Sequence, residues 1–334
     1  MPTPKFDWNN YQRLLEGIRS DQPLTILALN SGLSKNRTAE LIKKAKDDGL
    51  IFSTTIHDSA SPQVGELSTD SHPSLDEPLR STFQYQPPTK VTVEKTVILS
   101  DVHCPFHDPQ AIKVTLNFIA FYQPDTIYLN GDILDCYAIS SFDKDPKRQL
   151  KFQDELDSAD DFVLSIREAA PKAKVIYTEG NHEFRLTRFL IAHPEVSSLR
   201  ALHIRNLLHL DELGVRWVSA RDKEYCNGVK ITHGSRISKW SAYTAKQEYD
   251  AAGVSGCSGH SHRASLYRHR DETGDHIWME GGCLCLLDPE YMNGVTNWQQ
   301  SFIIGETSTG GHRFQLSHVN IANGKILYQG HLFQ

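Results

Sequence analysis

Apolar positions first recur at helical spacing. Trp8, Tyr11, Leu14, Leu15 and Ile18 lie three and four residues apart, which is one helix face. Pro23 opens a short second helix with Leu24, Leu27 and Ala28 inward, and Ser31-Gly32-Leu33 reads as a tight turn with Ser34 as the N-cap of a third helix. In that helix Ala39, Leu41, Ile42 and Ala45 face inward, while Lys35, Asn36, Arg37, Lys43, Lys44 and Lys46 face outward. Gly49 ends it, and Leu50-Ile51-Phe52 could begin a strand. Helix, glycine turn, helix and β element is the pattern of a winged helix-turn-helix over residues 1–52. Periodicity then fades through 53–92, where Ser-Ala-Ser-Pro and Gln-Pro-Pro read as a flexible linker.

From Val93 the pattern changes. Short apolar runs at Thr96–Leu99, Thr126–Leu129 and Lys174–Tyr177 read as buried strands, and they alternate with helix patterns at Ile112–Tyr122 and Gln153–Ala170. That alternation predicts α/β architecture around a central sheet over 93–334. Later segments (Val229–Thr232, Ser265–Arg268, His276–Met279, Ser301–Ile304 and Lys325–Tyr328) read as mostly β, which suggests a second sheet.

Composition narrows the field. The 334 residues are 39% hydrophobic and 23% charged, a globular mix that excludes collagen, a coiled-coil rod and a wholly disordered chain. The net charge is −6, against a protein coated in nucleic acid. Residues 1–50 nevertheless carry about +2, so the Lys35-Asn36-Arg37 end of the third helix is a candidate for duplex DNA contact; the bland alternative is a solvated docking or oligomerisation module. No apolar run reaches the roughly 18 residues that span a bilayer, and no export pattern opens the chain, so a cytoplasmic location without membrane contact is expected. The six cysteines are expected as free thiols, and Cys283 and Cys285 read as buried strand residues rather than a metal site.

Five short polar signatures follow the strand patterns. They are Ser100-Asp101-Val102-His103, Asn130-Gly131-Asp132-Ile133-Leu134-Asp135, Glu179-Gly180-Asn181-His182-Glu183, His233-Gly234 and Gly259-His260-Ser261-His262. Ligand sites in open α/β sheets form beyond the carboxyl ends of strands, so these distant segments are expected to converge. Asp101 and Asp132 are about one βαβ unit apart. Each signature alone is weak, since a lone Asp132 or His233 is more often a capping or core residue. Together they form a hard O/N donor set without thiolate, suited to Mn²⁺, Fe or Zn²⁺. A carboxylate can bridge two ions, and a pair of cations about 3.5–4 Å apart can clamp the attacking and leaving oxygens of a phosphoryl displacement. His57 and His72 in the linker, and His107, His193, His203 and His209 outside the signatures, read as incidental, structural or exposed.

This order of signatures resembles the calcineurin-like metallophosphoesterase superfamily over about residues 95–334. The resemblance implies a four-layer α/β/β/α sandwich with the site at the strand ends. It implies that one metal takes Asp101, His103, Asp132 and His262, and the other Asp132, Asn181, His233 and His260, with Asp132 bridging. It implies His182 as the acid that protonates the leaving oxygen, or as a donor to the phosphate, with Asp135 orienting it. Two divalent ions are then expected, Mn²⁺ first and Fe, Zn²⁺ or Ni²⁺ as alternatives. Arg185, Arg188 and Arg236 are candidate phosphate contacts because planar guanidinium matches phosphate oxygens, the alternative being surface solubility.

The second signature lacks the Arg-Gly that follows it in Ser/Thr protein phosphatases, and no arginine precedes Gly180. A helix-turn-helix-like head on such a core resembles phage- or prophage-encoded phosphoesterases. The expected activity is hydrolysis of a phosphate ester by a metal-bridging hydroxide, with a nucleic-acid or nucleotide phosphodiester favoured and DNA a candidate partner. The alternatives are a phosphomonoesterase and a DNA-binding regulator with an inert core. The sequence does not specify an oligomeric state.

Overall fold

A computed structural model describes residues 85–140, 151–288, 295–308 and 314–334. The helix-turn-helix reading, with Lys35, Asn36 and Arg37, and the linker up to residue 84 lie outside the described residues. Thr89–Gln334 forms one compact unit.

Two sheets carry this unit. The first has the order β11-β10-β1-β2-β3-β4. Its parallel centre is β1 (Val93–Leu99), β2 (Thr126–Asn130), β3 (Lys174–Thr178) and β4 (Val215–Val218). β10 (Ser301–Ser308) joins β1 antiparallel, and β11 (Phe314–Asn320) closes that edge. The second sheet has the order β5-β6-β7-β9-β8, with β5 (Glu224–Cys226), β6 (Val229–Ile231), β7 (Gly256–Ser258), β8 (Ala264–Asp271) and β9 (Gly274–Gly281). A small hairpin of β12 (Ile326–Tyr328) and β13 (His331–Phe333) stands apart from both.

The two-residue period of a strand explains the layers. Val97 and Leu99 of β1, Ile127 and Leu129 of β2, and Val175 and Tyr177 of β3 point to one core. There they meet Val114, Phe118 and Ile119 of α1 (Pro109–Tyr122) and Phe162, Val163 and Ile166 of α2 (Phe152–Ala169). The intervening Ile98, Tyr128 and Ile176 point to a second core, shared with Val229, Ile231, Cys257 and Met279 of the other sheet. Strands buried on both faces read as continuous apolar runs, which is why the sequence shows no alternation there. Ala245 and Tyr249 of α4 (Tyr243–Ala252) then cover Trp278 on the far side. The result is helix, sheet, sheet and helix, the expected sandwich.

Local chemistry sets the ends of the elements. Asp108 caps α1 by accepting the N–H groups of Gln110 and Ala111 at 2.8 and 3.2 Å, with Pro109 in the first turn. α3 (Glu183–Ala192) begins inside the third signature and was not expected from periodicity; neither was α4. One expectation is corrected. Cys283 and Cys285 are buried but lie outside the strands, each in a single bridge, to Gln300 and His107 respectively. The chain has already turned off β9 at Gly282, whose φ of +77° lies in the left-handed region and outside the strand range.

Candidate metal centre

The parallel sheet continues beyond its strand ends as a ladder of loops. Asp101 N–H bonds Gly131 O at 3.1 Å, His103 N–H bonds Asp132 O at 2.9 Å and Cys104 N–H bonds Ile133 O at 2.7 Å. The first and second signatures therefore run side by side. Asn130 ties in the other sheet: its amide donates to Thr232 O at 2.8 Å and its side-chain oxygen accepts from Thr178 at 2.9 Å. Gly259 N–H donates to His233 O at 2.9 Å, and His260 N–H reaches both oxygens of Asp101 at 3.0 Å.

Seven predicted donors meet where these loops converge. His262 Nε2 lies 3.3 Å from Asp101 Oδ1 and 3.0 Å from His103 Nε2. His103 Nε2 is 3.9 Å from both Asp101 Oδ1 and Asp132 Oδ2. On the other side of Asp132, Oδ2 is 3.1 Å from His233 Nε2, which is 3.0 Å from Asn181 Oδ1. Asp101, His103 and His262 form one compact group, and Asp132, His233 and His260 another, with donor atoms of each group within 4.8 Å of one another. Asp101, His103, Asp132, His233 and His262 are all buried.

The backbone is bent to achieve this. Asp101, His103, Asp132, His260 and His262 all have left-handed φ values, between 52° and 68°. L-residues pay of order 1 kcal/mol each for that conformation, and such outliers collect at functional sites. Close approach explains two glycines. A Cβ at Gly180 would strike the Asp132 side chain and backbone, and one at Gly259 would strike Asp101 and Ser100.

The donor set fits divalent ions. His103 Nδ1 lies 2.9 Å from Asp135 Oδ2, and His233 Nδ1 lies 2.9 Å from Asn130 O. Each partner accepts from Nδ1 and so turns Nε2 toward the centre as the nitrogen that would ligate an ion. Two Nε2 atoms facing each other at 3.0 Å, beside a carboxylate, then form a ready cradle for a cation. Burial and the neighbouring His182 hold His103 below the usual imidazole range, and burial and His233 do the same for His260. Burial opposes charge on His233 and His262 too, but Asp132 beside the first and Asp101 beside the second carry each up to about 10. Burial works against the Asp132 carboxylate, yet His233 and His182 hold it well below the usual range.

His182 sits at the edge. Its N–H donates to Asp132 Oδ1 at 2.9 Å, and its Nδ1 lies 2.8 Å from Asp135 O and 3.4 Å from Asp135 Oδ2. The Asp135 carboxylate is thus shared, and it lies nearer His103 than His182. Arg185 enters the same cluster: Nη2 is 3.0 Å from His182 Nε2 and Nη1 is 3.0 Å from Asp135 O. Arg188 does not, since it is exposed with its guanidinium over the Phe184 ring. Arg236 is exposed three residues past His233, with its backbone N–H held by Glu248 at 3.1 Å.

Three contributors escaped the sequence reading. Glu183 was noted only as a letter of its signature. Its buried carboxylate accepts N–H groups from Asp132, Ile133, Leu134 and Gly180 at 2.8–3.0 Å, and the Tyr177 hydroxyl at 2.8 Å. Cys285 Sγ lies 3.9 Å from His262 Nδ1, and the Trp298 ring meets His262 edge-on at 4.2 Å. Neither carries a local signal, because both reach the site from a loop more than twenty residues beyond His262.

Residues 94–272 match the family model described as Calcineurin-like phosphoesterase. The chain is similar to the Gene 54 protein of Mycobacterium phage D29, at 29% identity over 255 residues, covering 72% of this chain and 99% of that protein. It is likewise similar to the Gene 54 protein of Mycobacterium phage L5, at 27% identity over 256 residues, with 72% and 99% covered. Among solved structures it is similar to Yfce, a phosphoesterase from E. coli, at 14% identity and a TM-score of 0.34, covering 68% of this chain and all of that one.

Proposed function

The chain belongs to the calcineurin-like phosphoesterase family, and from that premise we propose that it is a two-metal hydrolase of phosphodiesters, with nucleic acid or a nucleotide as substrate. The observation that carries the reading is Asp132. Its carboxylate stands between the His103 side and the His233 side of one buried cluster, within 3.9 Å and 3.1 Å of their Nε2 atoms. Asp101, His103, Asp132 and His262 would hold one divalent ion, and Asp132, Asn181, His233 and His260 the other, with Mn²⁺ the first choice. The ions, when bound, lower the pKa of a water molecule and offset the phosphate charge.

The protein's own groups do the rest. His182 is pinned through its backbone N–H to Asp132 and through Nδ1 to Asp135. Burial works against its charge, but Asp132 and Asp135 raise it above the usual imidazole range. It can therefore hold a proton for the leaving oxygen. Arg185 now occupies its Nε2 side. Protonation there requires the guanidinium to turn to another acceptor, and a phosphate oxygen matches its planar fork. Asp135 keeps the His103 proton on Nδ1 and steadies His182 at the same time.

The amino-terminal unit, with Lys35, Asn36 and Arg37, is proposed to hold DNA near this centre through its linker, raising local substrate concentration. The test is a panel on the full chain with Mn²⁺: a bis-aryl phosphate, an aryl monophosphate, and single- and double-stranded DNA. Turnover of the diester and of DNA is expected. Turnover of the monoester alone would make the protein a phosphomonoesterase. DNA binding with no metal and no turnover would make it a regulator with an inert core.

A further inference from the structure

The segment that leaves the metal centre after His233 is exposed and cationic and displays an aromatic ring. Between Gly234 and Tyr243 the sequence is Ser-Arg-Ile-Ser-Lys-Trp-Ser-Ala, with no acidic side chain. Trp240 is 67% exposed and Ile237 66%, while Arg236 and Lys239 are exposed beside them. Lys239 Nζ lies over the Trp240 ring at 5.1 Å from its centroid. Tryptophan is enriched at interfaces because its ring offers a large apolar face and a polar N–H.

The loop is built rather than loose. The buried Glu248 carboxylate accepts the N–H groups of Ser235 and Arg236 at 2.8 and 3.1 Å. Thr244 Oγ1 accepts Ser238 N–H at 3.1 Å, and Gln247 accepts the Ser238 hydroxyl at 2.7 Å. Arg263, the residue after His262, donates to Ser238 O at 2.6 Å. The loop is therefore fastened to both histidine signatures, with Arg236 three residues from His233. Glu248, Thr244 and Arg263 hold its backbone at Ser235, Arg236 and Ser238, and Arg236, Ile237, Lys239 and Trp240 are left exposed. The Arg263 Nε, buried beside it, has no hydrogen-bond partner.

We propose that this loop is a single-strand platform: Trp240 stacks on an unpaired base while Arg236 and Lys239 hold flanking phosphates, feeding the adjacent phosphodiester to the metal centre. The proposal rests on the phosphodiester reading and names its substrate class. Two cations beside an exposed aromatic face suit a polyanion with bases, not an acidic peptide. An exposed ring stacks on a base whose face is open, which the stacked interior of a duplex does not offer.

The test is binding rather than turnover. Labelled single-stranded oligothymidylate is titrated by anisotropy into the full chain in EDTA, so hydrolysis does not interfere. Trp240→Ala is expected to weaken binding about tenfold, the usual worth of one stacked base, with Trp240→Phe recovering most of it. Arg236→Ala with Lys239→Ala is expected to lower the salt slope of binding by between one and two. Tyr225→Ala, an exposed aromatic on β5, serves as the control with wild-type binding. An unchanged dissociation constant in Trp240→Ala overturns the proposal, and so does a loss equal for single strand and duplex. Failure of diester turnover in the substrate panel, with this binding intact, would instead sink the hydrolase reading alone.

Discussion

The Glu183 carboxylate accepts the backbone N–H of Asp132 at 3.0 Å, from a position one residue past His182. The same carboxylate also takes Ile133, Leu134 and Gly180. One buried side chain thus fixes both the loop that carries Asp132 and the loop that carries Asn181. Burial raises its affinity for a proton, and the Asp132 charge adds to that, while the donated N–H groups and Tyr177 oppose both.

Glu183→Ala is expected to lower stability by roughly 2–4 kcal/mol, because it orphans several buried donors at once. Denaturant unfolding measures this. A variant as stable as the wild type would show that the loops hold their shape without the carboxylate.

Asp132→Asn tests the shared ligand. Both ion sites should weaken together, so bound metal by elemental analysis should fall toward zero, and diester turnover with it. Chelation of the wild type should reproduce the loss, and added Mn²⁺ should reverse it. Retention of one equivalent of metal in the variant would contradict a shared ligand.

His182→Ala should keep its metals and slow turnover by about 10²–10⁴-fold, the usual worth of a positioned proton donor. The loss should shrink on esters whose leaving group is already acidic, because these need no proton. An equal loss on good and poor leaving groups would assign His182 to phosphate binding instead.

Glu155, which is not among the candidate ligands, offers a pH test. Its carboxylate accepts N–H groups from Tyr137 and Ala138 at 2.8 and 2.7 Å, and burial pushes it up to about 7 from an ordinary 4.5. Between those values the unfolded chain gives up the proton first, so this group costs stability as pH rises from about 4.5 to 7. Glu155→Gln removes that dependence. Its melting temperature minus that of the wild type should climb from pH 5 to 7 and then level off. A difference independent of pH would refute the raised value.

The sequence by itself determined three of the four strands of the parallel centre, β1 to β3, the two long helices, read as 112–122 and 153–170, and the donor residues of the centre. Those strands are unbroken apolar runs, and the donors are chemically conspicuous residues placed just past them. It also made the presence of a second sheet legible. It did not show α3, which starts inside a signature directly after His182, or α4, which starts after a left-handed Ala242 with no side-chain cap. Nor did it show that Asp135 serves His103 as much as His182, that Glu183 binds two loops, or that Cys285 and Trp298 flank His262. These pairings join residues with no periodic relation along the chain. Lateral pairing of β1, β2 and β3 in one sheet brings the first two together, and the packing of the second sheet against it carries the end of β7, with His262, to the same rim.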